Sequence, residues 1–567
     1  MLLTLFAFIL WIPAILGAGN FGHFLYRKTF AANHKGNLLE NAILGMAIIS
    51  ALANWLNFFT AISVFVQAAI LLIGWAGFAP LLRQKEFLKP KPILAISAIA
   101  WTFVLIFLRA NIAPDYYDTG YYGLQNLYWY QESPLPLGLA NLHARFAYNS
   151  SWLALASIVH LPNIDYFISG EIFLWFMGFM TFYAIQDSLN KPLNPVRLYC
   201  LLIPLVLLTP VLGTFTLGAL ATDLPIFWLC ITLGWICLRA ITNEIPSSYA
   251  AWFTFVLACF AVTVKLSALP VFLIFLSLLI ILGGDTKRYF STLLKAALPV
   301  AVFMLLPWLA RFFWMSGCVI YPASFTCSKS VQWGVTSQAA QWMADYIKQF
   351  AIHRTLTPTE IQSPWFFDQD LLQKWFDLYF GYPETFVALF FLGLGLLIYL
   401  TSIKKKSPNR NHWHETSLML PYAGAMVFWF VTAPDIRFGS GYIWTAALLF
   451  FSFGIFHLLH EQETRIQNLA YAFIFAMLVG LTSVAFIRIA MNNFTLPLSI
   501  NWILPAQSPK VETHQKVISE ISIHYPQKSD LLCWGEPLPC TPELHPNLRI
   551  KTDDNGQFEM FYIQSDN

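Results

Sequence analysis

Apolar residues run through this chain in long blocks, separated by short clusters of charge. A helix needs about 17 to 25 predominantly apolar residues to cross the hydrocarbon core of a bilayer, and roughly fourteen blocks qualify. They are 2–19, 39–60, 61–82, 93–110, 166–187, 198–214, 222–241, 250–265, 268–283, 290–314, 384–402, 416–433, 441–460 and 467–488. Lys265 and Pro270 interrupt the Ala250–Gly283 region, which reads as one long kinked helix or as two short spans. The first run, Met1–Gly19, lacks the basic start of a signal peptide and is followed by Arg27, Lys28 and Lys35, which favours an uncleaved first span. Composition excludes a soluble domain: 57% of residues are hydrophobic and 11% charged, with a mean hydropathy of +0.58.

The net charge of +3 implies no nucleic-acid partner, so the placement of the charges matters more than their sum. Lys and Arg concentrate at Arg27/Lys28/Lys35, Arg83/Lys85/Lys89/Lys91, Lys191/Arg197, Arg239, Lys287/Arg288 and Lys404/Lys405/Lys406/Arg410. Threading the spans with two helices in Ala250–Gly283 puts all of these on one side, the cytoplasmic one by the positive-inside rule. A single span there would split them, so parity favours two. The other side receives loops 111–165 and 315–383, the short loop Ala433–Gly441 and a polar tail from about Asn492.

Cys200, Cys230, Cys237 and Cys259 fall inside spans, as small buried apolar residues do. Cys318 with Cys327, and Cys533 with Cys540, form two local pairs in the external segments, where an oxidising compartment makes them disulfide candidates. Their spacings match no common zinc pattern, and the close pair His412/His414 lies on the cytoplasmic side, so no metal site is assigned. The tail reads as a small α/β appendage, helical over Val511–His524, with strands at Asp530–Trp534 and Phe558–Ile563 and a turn at Asp553–Gly556. The aromatic and acidic stretch from Pro358 to Asp377 reads as the most mobile loop. Three regions follow: N-terminal helices (1–92), a transmembrane core with its external loops (93–490) and the tail (491–567).

Chemistry concentrates in the external segments. Asp115 and Asp118 stand just beyond the span 93–110, followed by Tyr121, Tyr122, Trp129 and Tyr130 at a spacing suited to an interfacial helix, and then by His143, Arg145 and Asn149. The plain alternative is an aromatic belt with ordinary loop carboxylates. Further charges sit at span ends on the same face: Glu171, Asp223, Lys265, Arg311, Asp435 and Arg437. Such residues are expensive unless they serve a polar cavity or snorkel outward. Asp223 suits a helix cap as well as a ligand contact, Arg311 could snorkel, Asp435 and Arg437 could pair with each other, and Lys265 has no obvious local acid partner.

An acidic motif opening the first large external loop of a multispan chain, with aromatics beside it, later external basic residues and a small external tail, resembles the GT-C superfamily of membrane glycosyltransferases. The resemblance covers roughly residues 93–490 and rests on Asp118-Thr-Gly-Tyr121, with Asp115 as the second choice. The phrase Gly138–Trp152 also looks like that of uncharacterised bacterial membrane proteins of this layout. The Asp-Glu doublet of two branches and a Trp-Trp-Asp motif are lacking, and three spans precede the one before the acidic loop. The resemblance implies a GT-C-like all-α bundle of about fourteen helices in a bacterial inner membrane, acting at its external face. A sugar would pass from a polyprenyl-phosphate donor to an envelope glycan, lipid or protein. Asp118 or Asp115 would be the base, and Arg145, Lys265, Arg311 and Arg437 would hold the donor phosphate. Tyr121, Tyr122, Trp129, His143, Asn149, Asp223 and Asp435 would bind sugar or acceptor. One base suffices because the lipid phosphate is already a good leaving group, and direct attack inverts the anomeric carbon. The resemblance leaves a divalent cation at Asp115/Asp118 open, since some relatives of the fold use one and others do not, and no cofactor is assigned. The rival readings are a multispan transporter or lipid-linked glycan flippase, and an O-antigen ligase or polymerase.

Overall fold

The computed structural model describes residues 2–31, 34–83, 116–161, 193–206, 220–353, 369–404, 412–460, 508–527, 531–554 and 556–564. The expected spans 93–110 and 166–187, most of 467–488, the second half of 198–214, and Asp115 and Glu171 lie outside the described residues. The helices are α1 (Leu2–Phe30), α2 (Leu38–Leu56), α3 (Val64–Leu82), α4 (Leu124–Glu132), α5 (Ser151–Val159), α6 (Pro195–Val206), α7 (Asp223–Ile241), α8 (Ser247–Val264), α9 (Val271–Ser316), α10 (Ser337–His353), α11 (Gln369–Phe380), α12 (Pro383–Lys404), α13 (Trp413–Thr432) and α14 (Ile436–Leu459).

Nine stretches among the described residues are helical, long and apolar enough to span a membrane. Their burial sorts them into two classes: 89% of the best window in Asp223–Ile241 is buried, against 22% in Pro383–Ile403, although the second is the more hydrophobic. A water-exposed helix of that composition would form an apolar patch no soluble monomer tolerates, so the peripheral helices meet lipid and the protein is a multi-pass membrane protein.

The chain breaks at Lys265, whose φ of −155° and ψ of 132° end α8. A short 3-10 turn, Leu266–Ala268, then leads into α9, which packs back on α8, so Ala250–Gly283 is two helices. At Gly283, φ of 47° divides α9 into two pieces of spanning length. The helix α13 has spanning length too, but Glu415 and its polar neighbours keep it out of the nine. Helices α1, α2 and α3 cross closely: a Cβ on Gly17 would strike the carbonyl of Gly74, and one on Gly45 that of Ile15. Small residues permit this approach where no hydrophobic force separates helix from lipid.

The connections organise two opposite ends. The start of α2 carries a capping box, Asn37 with Glu40, and Glu40 reaches Arg239 at the end of α7. The start of α7 meets Lys265 at the end of α8. The second end also carries the two disulfides, Cys318–Cys327 and Cys533–Cys540, which pair as expected.

The tail differs from the α/β expectation. Thr513–Ile518 (β1) and Ile521–Pro526 (β2) form one antiparallel hairpin, and Leu548–Thr552 (β3) and Phe558–Ile563 (β4) form another. Val511–His524 is thus not a helix: Ser519 and Glu520 both take positive φ, 50° and 67°, and close a two-residue turn between Ile518 and Ile521. Residues 531–534 form no strand, and Asp530 is outside the described residues. The strand Phe558–Ile563 and the turn before it stand as expected. In the stretch from Pro358 to Asp377, residues 369–377 belong to α11, a helix rather than a loop.

Candidate functional site

The segment after the acidic motif winds into one π-turn, Thr119–Gly123, and continues as α4. Thr119 Oγ1 accepts a hydrogen bond from the Leu220 amide at 3.0 Å, anchoring the turn from below. The Asp118 side chain makes no cap to this turn and instead receives Arg145 Nη1 at 3.2 Å. Arg145 sits on a 3-10 turn, Ala144–Ala147, inside a cage of tyrosines. Its guanidinium lies 4.8 Å from the ring centre of Tyr121, 5.7 Å from Tyr122 and 5.5 Å from Tyr346, and Nη2 donates to Tyr346 Oη at 3.3 Å. Burial opposes the Arg145 charge, but Tyr148, Asp118 and Tyr122 outweigh it and hold the pKa above its ordinary value. Burial pushes the Tyr122 hydroxyl well up, and the Asp118 charge adds to this.

Two further ion pairs lie on the same side. Lys265 pairs with Asp223, which begins α7, and its ammonium sits 3.7 Å from the Phe438 ring centre. The acid partner invisible from the local sequence is thus supplied from 42 residues away. Asp435 caps α14 by accepting from the Arg437 amide at 3.0 Å, while its second oxygen takes Arg437 Nη2 at 2.9 Å and Nε at 3.1 Å. The helix begins at Ile436, five residues before the expected span, so Arg437 stands in its first turn. Arg437 also donates to Tyr116 Oη. Burial pushes the Tyr116 pKa up; Arg437 pulls it back, and Asp118, Asp223 and Asp435 raise it again, so that this one phenol senses all three acids. Arg437 thus touches Tyr116, two residues from Asp118, and shares the Phe438 ring with Lys265, so the three ion pairs lie near one another.

Other expected residues lie elsewhere or are engaged differently. Arg311 is buried against Asn57 Oδ1 at 2.8 Å and stacks 4.1 Å over Tyr130, with no contact to the three pairs. It therefore does not snorkel. Trp129 is 2% exposed and packs edge-on to Phe558 and Phe561 of β4, so α4 is covered by protein rather than lying at an interface. Asn149 donates to the Trp308 carbonyl at 2.6 Å, while its Oδ1 is buried with no partner among the described residues. His143 lies edge-on to Tyr121 with Nε2 buried and unpartnered among the described residues; burial and then Arg145 lower its pKa to about 3.

Sequence reasoning missed the tail's part in this arrangement. The amides of Cys533 and Trp534 both donate to the Gly120 carbonyl, at 3.0 and 2.9 Å. The Trp534 ring lies where a Gly120 Cβ would stand. Gln125 Nε2 donates to the Glu536 carbonyl at 2.7 Å, and its Oε1 accepts from the Cys540 amide at 3.3 Å. The disulfide-closed turn thus clamps the π-turn that presents Asp118. Leu137 pairs with β4 on both sides, its amide with Glu559 and its carbonyl with Phe561. The only sequence signal was Trp534-Gly-Glu between two cysteines. Tyr116 and Tyr346 were missed as well.

Chemically, the arrangement offers a partly exposed carboxylate and three cations within one aromatic surface. No curated protein and no solved structure matches the chain. One family model, a domain of unknown function (DUF8201), matches residues 1–444, a stretch that holds all three ion pairs but not the tail, and the chain belongs to that family.

Proposed function

We propose that the protein is a membrane glycosyltransferase of the GT-C type that takes its sugar from a polyprenyl-phosphate donor. The observation that carries this reading is the grouping of Asp118–Arg145, Asp223–Lys265 and Asp435–Arg437 on one side of the protein, linked through Arg437 to Tyr116 and through Phe438 to Lys265. Each cation is already matched by its own carboxylate, so the cluster is neutral until a ligand arrives. A donor phosphate that draws Arg145 away releases Asp118 from its single 3.2 Å contact. The freed carboxylate then accepts the proton of the acceptor hydroxyl as that oxygen attacks the anomeric carbon. The bond from the anomeric carbon to the phosphate oxygen breaks, and the polyprenyl phosphate leaves with its charge held by Arg145, Lys265 and Arg437. The product is inverted.

The cluster faces outward from a bacterial inner membrane in this reading. Arg27, Lys28 and Arg239 mark the opposite, cytoplasmic end, and both disulfides lie on the side of the cluster. A bundle of about fourteen spans fits the helices. The exposed apolar faces of α9 and α12 would meet lipid, where the donor's polyprenyl chain would lie. Tyr121 and Tyr122 flank the sugar, which comes to an envelope glycan, lipid or protein.

The test is transfer of radiolabelled sugar from a panel of polyprenyl-phosphate donors to envelope acceptors, with wild type and Asp118→Asn in the same detergent. Transfer by wild type and donor binding without transfer by the variant are expected. Equal transfer by both removes Asp118 from the chemistry, and no transfer by wild type on any donor ends the glycosyltransferase reading.

A further inference from the structure

The end of the molecule opposite Asp118 holds a separate cluster. His412 stands at the start of α13, Glu415 lies in its first turn, and His457 is in the last turn of the facing helix α14. One carboxylate oxygen, Glu415 Oε2, receives three donors: His457 Nε2 at 2.9 Å, His412 Nδ1 at 3.2 Å and Tyr399 Oη of α12 at 3.2 Å. The two imidazoles meet edge to face, 5.3 Å between ring centres. The three ligating atoms all lie within 4.8 Å of one another. The histidine that completes the group is His457 and not the exposed His414, which is why spacing alone pointed away from a metal.

We propose that His412, Glu415 and His457 form a zinc site that staples α13 to α14. Two imidazoles and one carboxylate are a borderline ligand set that suits zinc and leaves calcium and magnesium, which take oxygen, poorly served. Tetrahedral zinc with bonds of ~2.0–2.1 Å needs ligand atoms about 3.4 Å apart. The Glu415 contacts to both histidines, at 2.9 and 3.2 Å, need to open only by about 0.5 Å or less to reach that separation. The two histidine nitrogens need to approach each other, and His412 stands at the helix edge, partly exposed. The fourth position falls to water or to the Tyr399 phenol. Both donor helices run from this end to the Pro434–Asp435 corner, so the ion fixes the open end of a hairpin whose closed end carries Asp435 and Arg437.

Full-length protein, purified in detergent with its affinity tag removed, is stripped with chelator and titrated with zinc chloride, with magnesium chloride as the comparison. Metal content is measured by mass spectrometry and unfolding by intrinsic fluorescence. We expect about one tightly held zinc per chain, a Tm raised by about 4 °C, and no response to magnesium. His412→Ala, the milder truncation, and His457→Ala each weaken zinc binding by at least about tenfold and abolish the Tm rise, with the helical circular dichroism retained. The proposal fails if wild type holds no more zinc than the His412→Ala/His457→Ala double variant, or if its Tm ignores zinc; the cluster is then a hydrogen-bonded network around Glu415 and nothing more.

Discussion

The two ends of α7 use the same pairing of acid and base for different ends. At Arg239 the partner Glu40 is fully buried and satisfied: it takes the guanidinium, the Asn37 amide at 2.7 Å and His34 at 3.5 Å. At Asp223 the partner Lys265 is 24% exposed, and the neighbouring pair Asp118–Arg145 leaves the Asp118 side chain 32% exposed. A sealed pair tied into a helix cap holds helices together. Lys265 and Asp118, each half-open, can exchange partners with a ligand, whereas the third pair, Asp435–Arg437, is as closed as Glu40–Arg239. Structure and function therefore separate along one helix by exposure, not by residue type.

The largest expected effects test that separation directly. Glu40→Gln leaves buried Arg239 with only the looser Glu244 contact at 3.9 Å and costs about 3 kcal/mol of stability, while transfer per folded molecule is expected to be unchanged. Asp118→Asn does the reverse: a partly exposed pair is worth less than about 1 kcal/mol, whereas loss of a general base lowers turnover by about 10²–10⁴. Unfolding in detergent and radiolabelled sugar transfer, measured on both variants, read out the contrast. If Asp118→Asn destabilises as much as Glu40→Gln and the surviving protein transfers normally, the comparison collapses.

The next effect concerns the tail, which clamps only the Asp118 end. Cys533→Ser with Cys540→Ser removes a closure worth about 2–3 kcal/mol by loop entropy and frees the turn seated on Gly120. The loss appears in kcat, because Asp118 is presented from that turn, and the stability of the Glu40 end is untouched. Unchanged kcat would show that the clamp does not position the carboxylate.

How far all this was legible follows from distance along the chain. The apolar blocks announced most spans, and Lys265 marked the break between α8 and α9, because hydropathy and helix termination are local properties. Both disulfides were legible from the placement of two local cysteine pairs in external segments, which follows from the spans. The acid of Lys265 was out of reach, since Asp223 arrives through tertiary packing. Tyr346 meets Arg145 from 201 residues away. The hairpin at 513–526 was misread because Val517, Ile518 and Ile521 have helical spacing, while the turn uses Ser519 and Glu520 where Asn-Gly would have signalled it. In the fold, Val517 points outward and Ile518 inward, as a strand requires.

A smaller effect belongs to the tyrosine cage. Tyr346→Phe removes one hydrogen bond to Arg145 and keeps the ring beneath it, so a loss of about 1 kcal/mol is expected. If Arg145 meets the donor phosphate in the ground state as well as the transition state, as proposed, the loss should appear as a KM for donor about fivefold higher. A change confined to kcat would place Arg145 in the chemical step alone.

An effect confined to acid pH distinguishes a dry cage from a wet one. His143 is held neutral in the folded protein, its pKa lowered from 6.5 to about 3 by burial and by Arg145. Between those values the unfolded chain binds a proton that the folded chain refuses, so stability falls as pH drops below 6.5, by at most ~1.4 kcal/mol per pH unit. Above 6.5 both states are neutral and the penalty vanishes. His143→Phe keeps a ring against Tyr121 and Phe146 and has no proton to bind. Its unfolding should match that of wild type at pH 7.5 and exceed it at pH 5, where other groups titrate equally in both proteins. Parallel acid losses in the two would mean that His143 charges in place, that water reaches the ring beside Arg145, and that the cage is not the low-dielectric seat for a phosphate that distinguishes this end of the molecule from the other.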